Sequence, residues 1–305
     1  MDGILPLWKE RGMTSHDCVF KLRKILRTKK VGHGGTLDPD VDGVLPICIG
    51  KGTKIIEYIQ DSGKTYIGEI TLGYSTTTED ASGEIVDRQD APMDLTTEEI
   101  DKAMAEMVGT ITQVPPMYSA VKVNGKRLYE YAREGLEVER PERKAVIEYF
   151  NRTTEPVFNE EEKTVSWRFE VGCGKGTYVR TLSVDTGLKL GVPAHMSDLT
   201  RIGSGGFKAA DCLTLAQVAE KMEQEEKDFL QPIEKAMTIM QRLDLTGQQY
   251  SVVKNGGFLM KSTLPDNLDY SDLIAVHYNN LLVSIYGEHP NKKEVIKPIK
   301  VLRNE

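Results

Sequence analysis

The chain has 305 residues, 39% of them hydrophobic, and a formal net charge of −7. That length exceeds what one small core needs, so two domains are the default, and the composition excludes extensive disorder. The acidic balance speaks against a protein that grips nucleic acid through bulk charge alone, and no apolar run reaches the roughly 18 residues of a membrane span. The N-terminal MDGILPLWKE lacks the basic segment and apolar core of a secretory signal. Cys18, Cys48, Cys173 and Cys212 are scattered with no C-x-x-C pair, which points to free thiols in a reducing cytoplasm.

In chain order, Thr14 or Ser15 caps a helix running to about Arg27, with Cys18, Val19, Leu22, Ile25 and Leu26 as its apolar stripe. The basic residues of KLRKILRTKK (21–30) fall outside that stripe and face solvent or a partner. A solvated helix face is the plain alternative. EKMEQEEKD (220–228) reads as an acidic, solvated helix face. KTYIGEITLGY (64–74) alternates as a strand, with Tyr66, Gly68, Ile70 and Leu72 on one side. Thr96 and Glu99 form a capping box for a helix with Ile100, Ala103, Met104, Met107 and Val108 on one face. The stretch at about 113–150 has a Pro-Pro break, an Asn-Gly hairpin turn and a short charged helix, and reads as a protruding insertion. Residues 164–191 read as strand, glycine turn and helix, the helix spanning Tyr178 to Leu190. From Leu243 the texture changes to short alternating runs, a small β-rich domain near the lower size limit for independent folding. The domain boundary falls at Pro232–Leu243, giving 1–238 and 239–305.

Two glycine-rich stretches raise the question of chemistry. GCGKGT (172–177) follows a strand and opens a helix, but Gly176 separates Lys175 from Thr177, which breaks the P-loop spacing. The third glycine comes too early for a dinucleotide fingerprint. KKVGHGGTLDPDVDGVLPICIG (29–50) carries Asp38, Asp40 and Asp42. It resembles the start of a calcium loop, but Ile49 stands where that loop needs Glu. His33 has no histidine four residues on and no nearby cysteine, so no metal site is expected. A turn at Asp38-Pro39 is the plain reading. The flanking glycines would also let backbone approach a ligand, leaving a carboxylate on a tight loop that can serve as a nucleophile.

GHGGTLDPDVDGVLPICIGKGTK resembles the catalytic motif of the bacterial tRNA pseudouridine synthase B family, which reads G-H-x-G-x-L-D-P-x-A-x-G-V-L-P. TSHDCVFKLRKIL, KTYIGEITLGYSTTTEDASGE, QVPPMYSAVKVNGKRLYEYAREG and GCGKGTYVRTLSVDTGLKLGVPAHMSDLTRIGSGGF are similar to its other blocks, in order from residue 3 to about 207. The C-terminal part resembles the small PUA barrel of RNA-modifying proteins.

The resemblance implies an α/β (α+β) catalytic domain with a mixed, largely antiparallel sheet and flanking helices, plus a PUA-like β-barrel. It implies isomerisation of uridine 55 in the tRNA T-loop to pseudouridine by base flipping, with no cofactor or metal. The partner is the T-arm of tRNA, with no membrane association, and the expected state is a cytoplasmic monomer. By position, Asp38 is the nucleophile, attacking the sugar or the base or acting through a glycal. Arg180 pairs with it, and Tyr66 stacks on the uracil. Tyr178 and Leu199 line the pocket, and His33 takes the space of the extruded base. Lys9 matches a retained family position. Lys21, Arg23 and Lys24, from the basic segment, complete the RNA-facing set. The insertion clasps the tRNA arm. Val41 and Asp42 depart from the family's Ala and Ser or Thr, and Trp8 and Glu10 depart from Asp and Pro. Two rival readings are an RNA-binding or RNA-folding protein without chemistry, and a nucleoside hydrolase.

Overall fold

Alternation along Lys64–Leu72 builds the middle of a sheet, because Tyr66, Gly68, Ile70 and Leu72 all turn inward. The computed structural model describes residues 1–304, and the chain divides into two compact units. One contains residues 1–38, 44–62 and the chain from Gly205 onward; the other contains 39–43 and 63–204.

In the second unit, Lys64–Leu72 pairs antiparallel with Thr164–Cys173 on one side and with Ala194–Ser204 on the other. Arg143–Arg152 and Gly109–Gln113 extend the sheet, again antiparallel. Asp42 and Gly43 add a short parallel pairing against Thr200 and Arg201. The sheet is therefore mixed and largely antiparallel, as expected. Val165, Trp167, Phe169 and Val171 are buried as their alternation requires, and Phe150 meets Phe169 edge-on at 5.2 Å. Two helices pack on the sheet. Thr97–Ala105 starts at the Thr96–Glu99 capping box, and Val179–Lys189 sets Gly187 directly against Ala194.

Local differences from the sequence reading have local causes. The strand read as 64–74 ends at Leu72, because Gly73 takes φ +121° and starts the separate hairpin Tyr74–Thr76 with Ile85–Arg88. The stretch read as an insertion is shorter at its C-terminal end. Arg143–Arg152 is a strand of the main sheet with Ala145, Ile147 and Phe150 in its core. Residues 114–142 lie outside the sheet. They carry the hairpin of Lys122–Val123 with Lys126–Arg127, turned by Asn124 (φ 50°) and Gly125 (φ 84°), and the helix Leu128–Arg133.

In the first unit, the helix Ser15–Ile25 is capped by Thr14 through a capping box with Asp17. It stops short of Arg27, which takes φ +50°. The strand Val31–His33 pairs antiparallel with Ile47–Ile49. The helix Leu215–Glu223 ends before the acidic run does, so Gln224–Asp228 is not a helix face; Glu225, at φ +60°, turns the chain away. The C-terminal sheet runs in the order Gln241–Asp244, Ile274–Tyr278, Leu281–Glu288, Val295–Val301, Leu259–Met260, in keeping with a small PUA-like barrel. Its inner face forms one core with Leu243, Val276, Tyr286 and Ile296. Ala275, Leu282, Ile285 and Leu302 join a second core with Ile4, Val44, Cys48, Ile55 and Phe207. The small β-region therefore leans on the N-terminal segment, where each large apolar side chain buried contributes about 1.5–3 kcal/mol. All four cysteines are free thiols, and burial pushes Cys48 up to about 12.

Gly68 has no room for a side chain. An added Cβ would lie 2.6 Å from Phe169 Cζ, 2.7 Å from the Asp198 carbonyl oxygen and 2.9 Å from Leu199 Cδ1. Gly68→Ala is expected to destabilise the protein by about 1–3 kcal/mol through overpacking. Urea denaturation checks this as a lower midpoint at unchanged slope.

Candidate active site

The structure sorts the three aspartates of the glycine-rich loop. Asp40 is exposed. Asp42 Oδ1 accepts a hydrogen bond from Thr200 Oγ1 at 2.6 Å, so the carboxylate that departs from the family motif has a defined partner. Asp38 is half-buried, and the backbone just before it is fixed. Ser15 Oγ accepts from Leu37 N at 2.8 Å and donates to Leu37 O at 3.2 Å. Ser15 is free to do this because Thr14, not Ser15, caps the helix. Both residues suit a cap in the sequence, and nothing local in it signals the Ser15–Leu37 clamp.

Packing requires glycine at two positions of this loop, 32 and 34. A Cβ at Gly32 would lie 2.6 Å from Ile56 Cδ1, and one at Gly34 would lie 2.5 Å from Ile59 Cγ2. Gly34 N–H also donates to the Pro46 carbonyl at 2.8 Å, just beyond His33, which pairs with Ile47. At the far end of the loop, Gly43 takes φ +121°, and a Cβ there would sit 2.2 Å from the Arg201 carbonyl oxygen. Among the described residues no cluster of three or more His, Cys, Asp or Glu side chains is placed to hold a metal ion.

In the second unit, Tyr66 stands opposite Arg201, and Leu199 opposite Gly68. Directly opposed residues share a sheet face, so Tyr66, Leu199 and Arg201 lie together on one side. Tyr66 and Leu199 are buried, and Arg201 is fully so. Arg201 was not singled out in the sequence. A fully buried arginine beside the candidate stacking tyrosine is its structural signature.

Arg180 lies in the first turn of Val179–Lys189, after the N-cap residue Tyr178. Its guanidinium donates from Nη1 to the Thr78 carbonyl and from Nη2 to the Tyr118 carbonyl, each at 3.0 Å, and Asp80 Oδ2 lies 3.9 Å from Nη1. Asp80 is held in turn by Thr78 Oγ1 at 2.6 Å and by Ser82 N–H at 3.0 Å and Ser82 Oγ at 2.6 Å. Tyr178, which has no side-chain cap of its own, is fixed by buried Gln113. Gln113 Oε1 accepts from Tyr178 N at 3.0 Å, and its Nε2 donates to Tyr178 O at 3.1 Å. Gln113 is a second residue that local sequence pattern could not reveal, since its partner is 65 positions away.

Lys21 and Lys24 of the basic helix are exposed, and Lys24 Nζ lies 4.5 Å over the exposed Phe20 ring. Arg23 is exposed as well, and one of its nitrogens donates to the Val31 carbonyl at 3.1 Å, tying the helix to the next strand. Lys9, placed by sequence among the RNA contacts, is fully buried, with Nζ donating to the Glu10 carbonyl at 3.0 Å. A side chain without exposed surface is a structural cation rather than a phosphate contact.

Residues 23–179 match the family model described as TruB family pseudouridylate synthase, N-terminal domain, and residues 180–238 match the tRNA pseudouridylate synthase B C-terminal domain. The tRNA pseudouridine synthase B of Listeria innocua serovar 6a is 54% identical over 302 residues, covering 99% of this chain and 98% of that protein. The protein of the same name from Bacillus pumilus is 52% identical over 310 residues, covering 100% and 99%. A chain in the crystal structure of a Cbf5-Nop10-Gar1 complex superposes with a TM-score of 0.76 at 28% identity, over 99% of this chain and 85% of that one.

Gln113→Leu takes the Gln113 acceptor from the Tyr178 N–H, while the Tyr178 carbonyl keeps the Leu182 N–H at 3.0 Å. Loss of that one buried hydrogen bond is expected to cost about 1–3 kcal/mol. Gln113→Glu, which keeps the acceptor and loses the donor, should fall between Leu and wild type in denaturant unfolding.

Proposed function

The chain belongs to the TruB family of pseudouridylate synthases, and on that footing we propose that it isomerises uridine 55 in the T-loop of tRNA to pseudouridine, with Asp38 as nucleophile. The observation that carries the assignment to Asp38 is the sorting of the three aspartates. Asp40 is exposed and Asp42 is bonded to Thr200, whereas Asp38 is half-buried on a backbone pinned by Ser15.

The reaction is balanced within the nucleotide. The N1–C1′ bond breaks, the uracil rotates, C5–C1′ forms, C5 loses a proton and N1 gains one. No electrons leave and no water is consumed, so the protein need only hold, flip and shield the base. Asp38 opens the sequence as a carboxylate and is regenerated at its end. In this reading Arg180 is the partner of that carboxylate, since a guanidinium paired with a carboxylate favours its charged form. Tyr66 receives the flipped uracil, with stacking of about 1–3 kcal/mol to offset unstacking, and Leu199 and Tyr178 line the pocket. His33 occupies the position the base has left.

The RNA is held outside the pocket by exposed cations. Lys21 and Lys24 present charge on one helix, and residues 114–142 form a clasp rich in paired cations and tyrosines. Lys126 lies over Tyr131, and Arg127 and Arg133 lie over Tyr129. The C-terminal β-region acts as a PUA-like RNA-binding domain, and the enzyme works as a cytoplasmic monomer. No helix among the described residues is long and apolar enough to cross a membrane.

Asp38→Asn is expected to abolish isomerisation on unmodified tRNA with binding largely intact, since phosphate contacts dominate affinity. Near-normal turnover by that variant would remove Asp38 from the mechanism. With 5-fluorouridine at the target position, the wild type should yield a C-linked fluorinated nucleoside or an Asp38-dependent adduct, read by mass spectrometry. Free 5-fluorouracil would mark a hydrolase, and unchanged RNA a pure binder.

Neutralising Lys21 and Lys24 together should weaken tRNA binding and flatten the slope of log affinity against log salt by about 1–2, as phosphate contacts are lost. An unchanged slope would return the helix to an ordinary solvated face.

A further inference from the structure

Glu79 sits between the two residues that face the Arg180 guanidinium. The Thr78 carbonyl accepts from Arg180 at 3.0 Å, and the Asp80 carboxylate lies 3.9 Å away. Glu79 has a non-glycine backbone in the left-handed region, at φ 64°. That turn is held by its N–H on the Thr76 carbonyl at 3.2 Å and by Met196 N–H on its own carbonyl at 3.0 Å. Its side chain reaches the helix that carries Arg180, where Oε2 accepts from Thr181 Oγ1 at 2.7 Å.

Glycine or asparagine is the usual occupant of such a backbone, and strain retained at a charged residue next to a site is a sign of function. The charged groups facing Glu79 are Arg180, Arg140 and Asp185. Arg140 belongs to the 114–142 segment and donates to the Pro115 carbonyl at 3.1 Å, three residues before Tyr118, whose carbonyl also holds Arg180.

We propose that Glu79 is a positioning residue for Arg180, fastening the Thr76–Asp80 turn to the arginine's own helix through Thr181. The Thr78 carbonyl then stays on the guanidinium, and the orientation of Arg180 is set from both sides. Its ionised form is the working one, since it accepts from a hydroxyl and faces two arginines. Burial pushes its pKa above the ordinary carboxylate value, Asp185 adds to that rise, and the Thr181 hydrogen bond and both arginines oppose it. Activity that needs the ionised form is lost as pH falls through that raised value.

The inference rests on Arg180 serving the reaction, so Arg180→Met is measured alongside. The assay is kcat and KM on unmodified tRNA across pH, with thermal unfolding of each variant. Glu79→Gln and Thr181→Val should each lower kcat about tenfold with KM within about twofold, and their double variant should fall no further than the worse single one. Glu79→Gln should also move the acid limb of the profile to lower pH, and Thr181→Ser should restore kcat. Glu79→Gly, which relieves the backbone while deleting the carboxylate, should unfold no earlier than wild type yet lose kcat to the same extent. The proposal falls if Glu79→Gln and Thr181→Val both keep wild-type kcat and acid limb while Arg180→Met is inactive. It also falls if their losses simply multiply. An active Arg180→Met would overturn the parent reading and this one together.

Discussion

The guanidinium of Arg180 is the constraint around which the second unit is arranged. Burying a permanent charge is costly unless its hydrogen bonds are met, and here two of them go to main-chain carbonyls of Thr78 and Tyr118. The carbonyl bonds fix the direction of the guanidinium, and the Asp80 carboxylate 3.9 Å from Nη1 offsets part of its charge. The same two bonds fasten a tight turn and the root of the 114–142 segment to one helix. Gln113 then anchors the start of that helix by both polar groups of Tyr178. Turn, 114–142 segment and helix thus meet at one side chain.

Much of this was legible in the sequence, where the signal is local. The cap at Thr14 or Ser15, the Thr96–Glu99 capping box, the Asn124-Gly125 hairpin turn and the alternation through Val165, Trp167, Phe169 and Val171 each reflect contacts within a few residues or one strand's period. What escaped was decided by partners far along the chain. The glycines at 32 and 34 read as room for a ligand, but their space is filled by Ile56 and Ile59. Lys9 read as an RNA contact and lies fully buried. Ser15, Gln113 and Glu79 looked unremarkable in sequence because Leu37, Tyr178 and Thr181 are what give them meaning. In the candidate site, the central residues are proposed from the motif; the contacts that hold them are visible only in the structure.

The charge distribution reconciles an acidic chain with an RNA substrate. A net charge of −7 limits indiscriminate binding, while exposed lysines on one helix place positive charge locally; in residues 114–142 five cations are matched by five acids, so that segment offers aromatic-backed cations rather than net charge. Stacking a cation over a ring also restrains a flexible side chain before any RNA arrives, which reduces the ordering that binding must impose.

The first unit is built from both ends of the chain: Ile4 bonds to Gln231, and the core that holds Ile4 also takes Leu282, Ile285 and Leu302. During synthesis this imposes an order. The central stretch, 63–204, emerges with most of its own sheet partners and can settle while translation continues. The opening strand must wait for residues made some two hundred positions later. Until residues 275–302 have been made, the apolar side chains of the N-terminal strand and of Val44–Ile49 lack part of their core, which leaves apolar surface exposed on the newly made N-terminal segment.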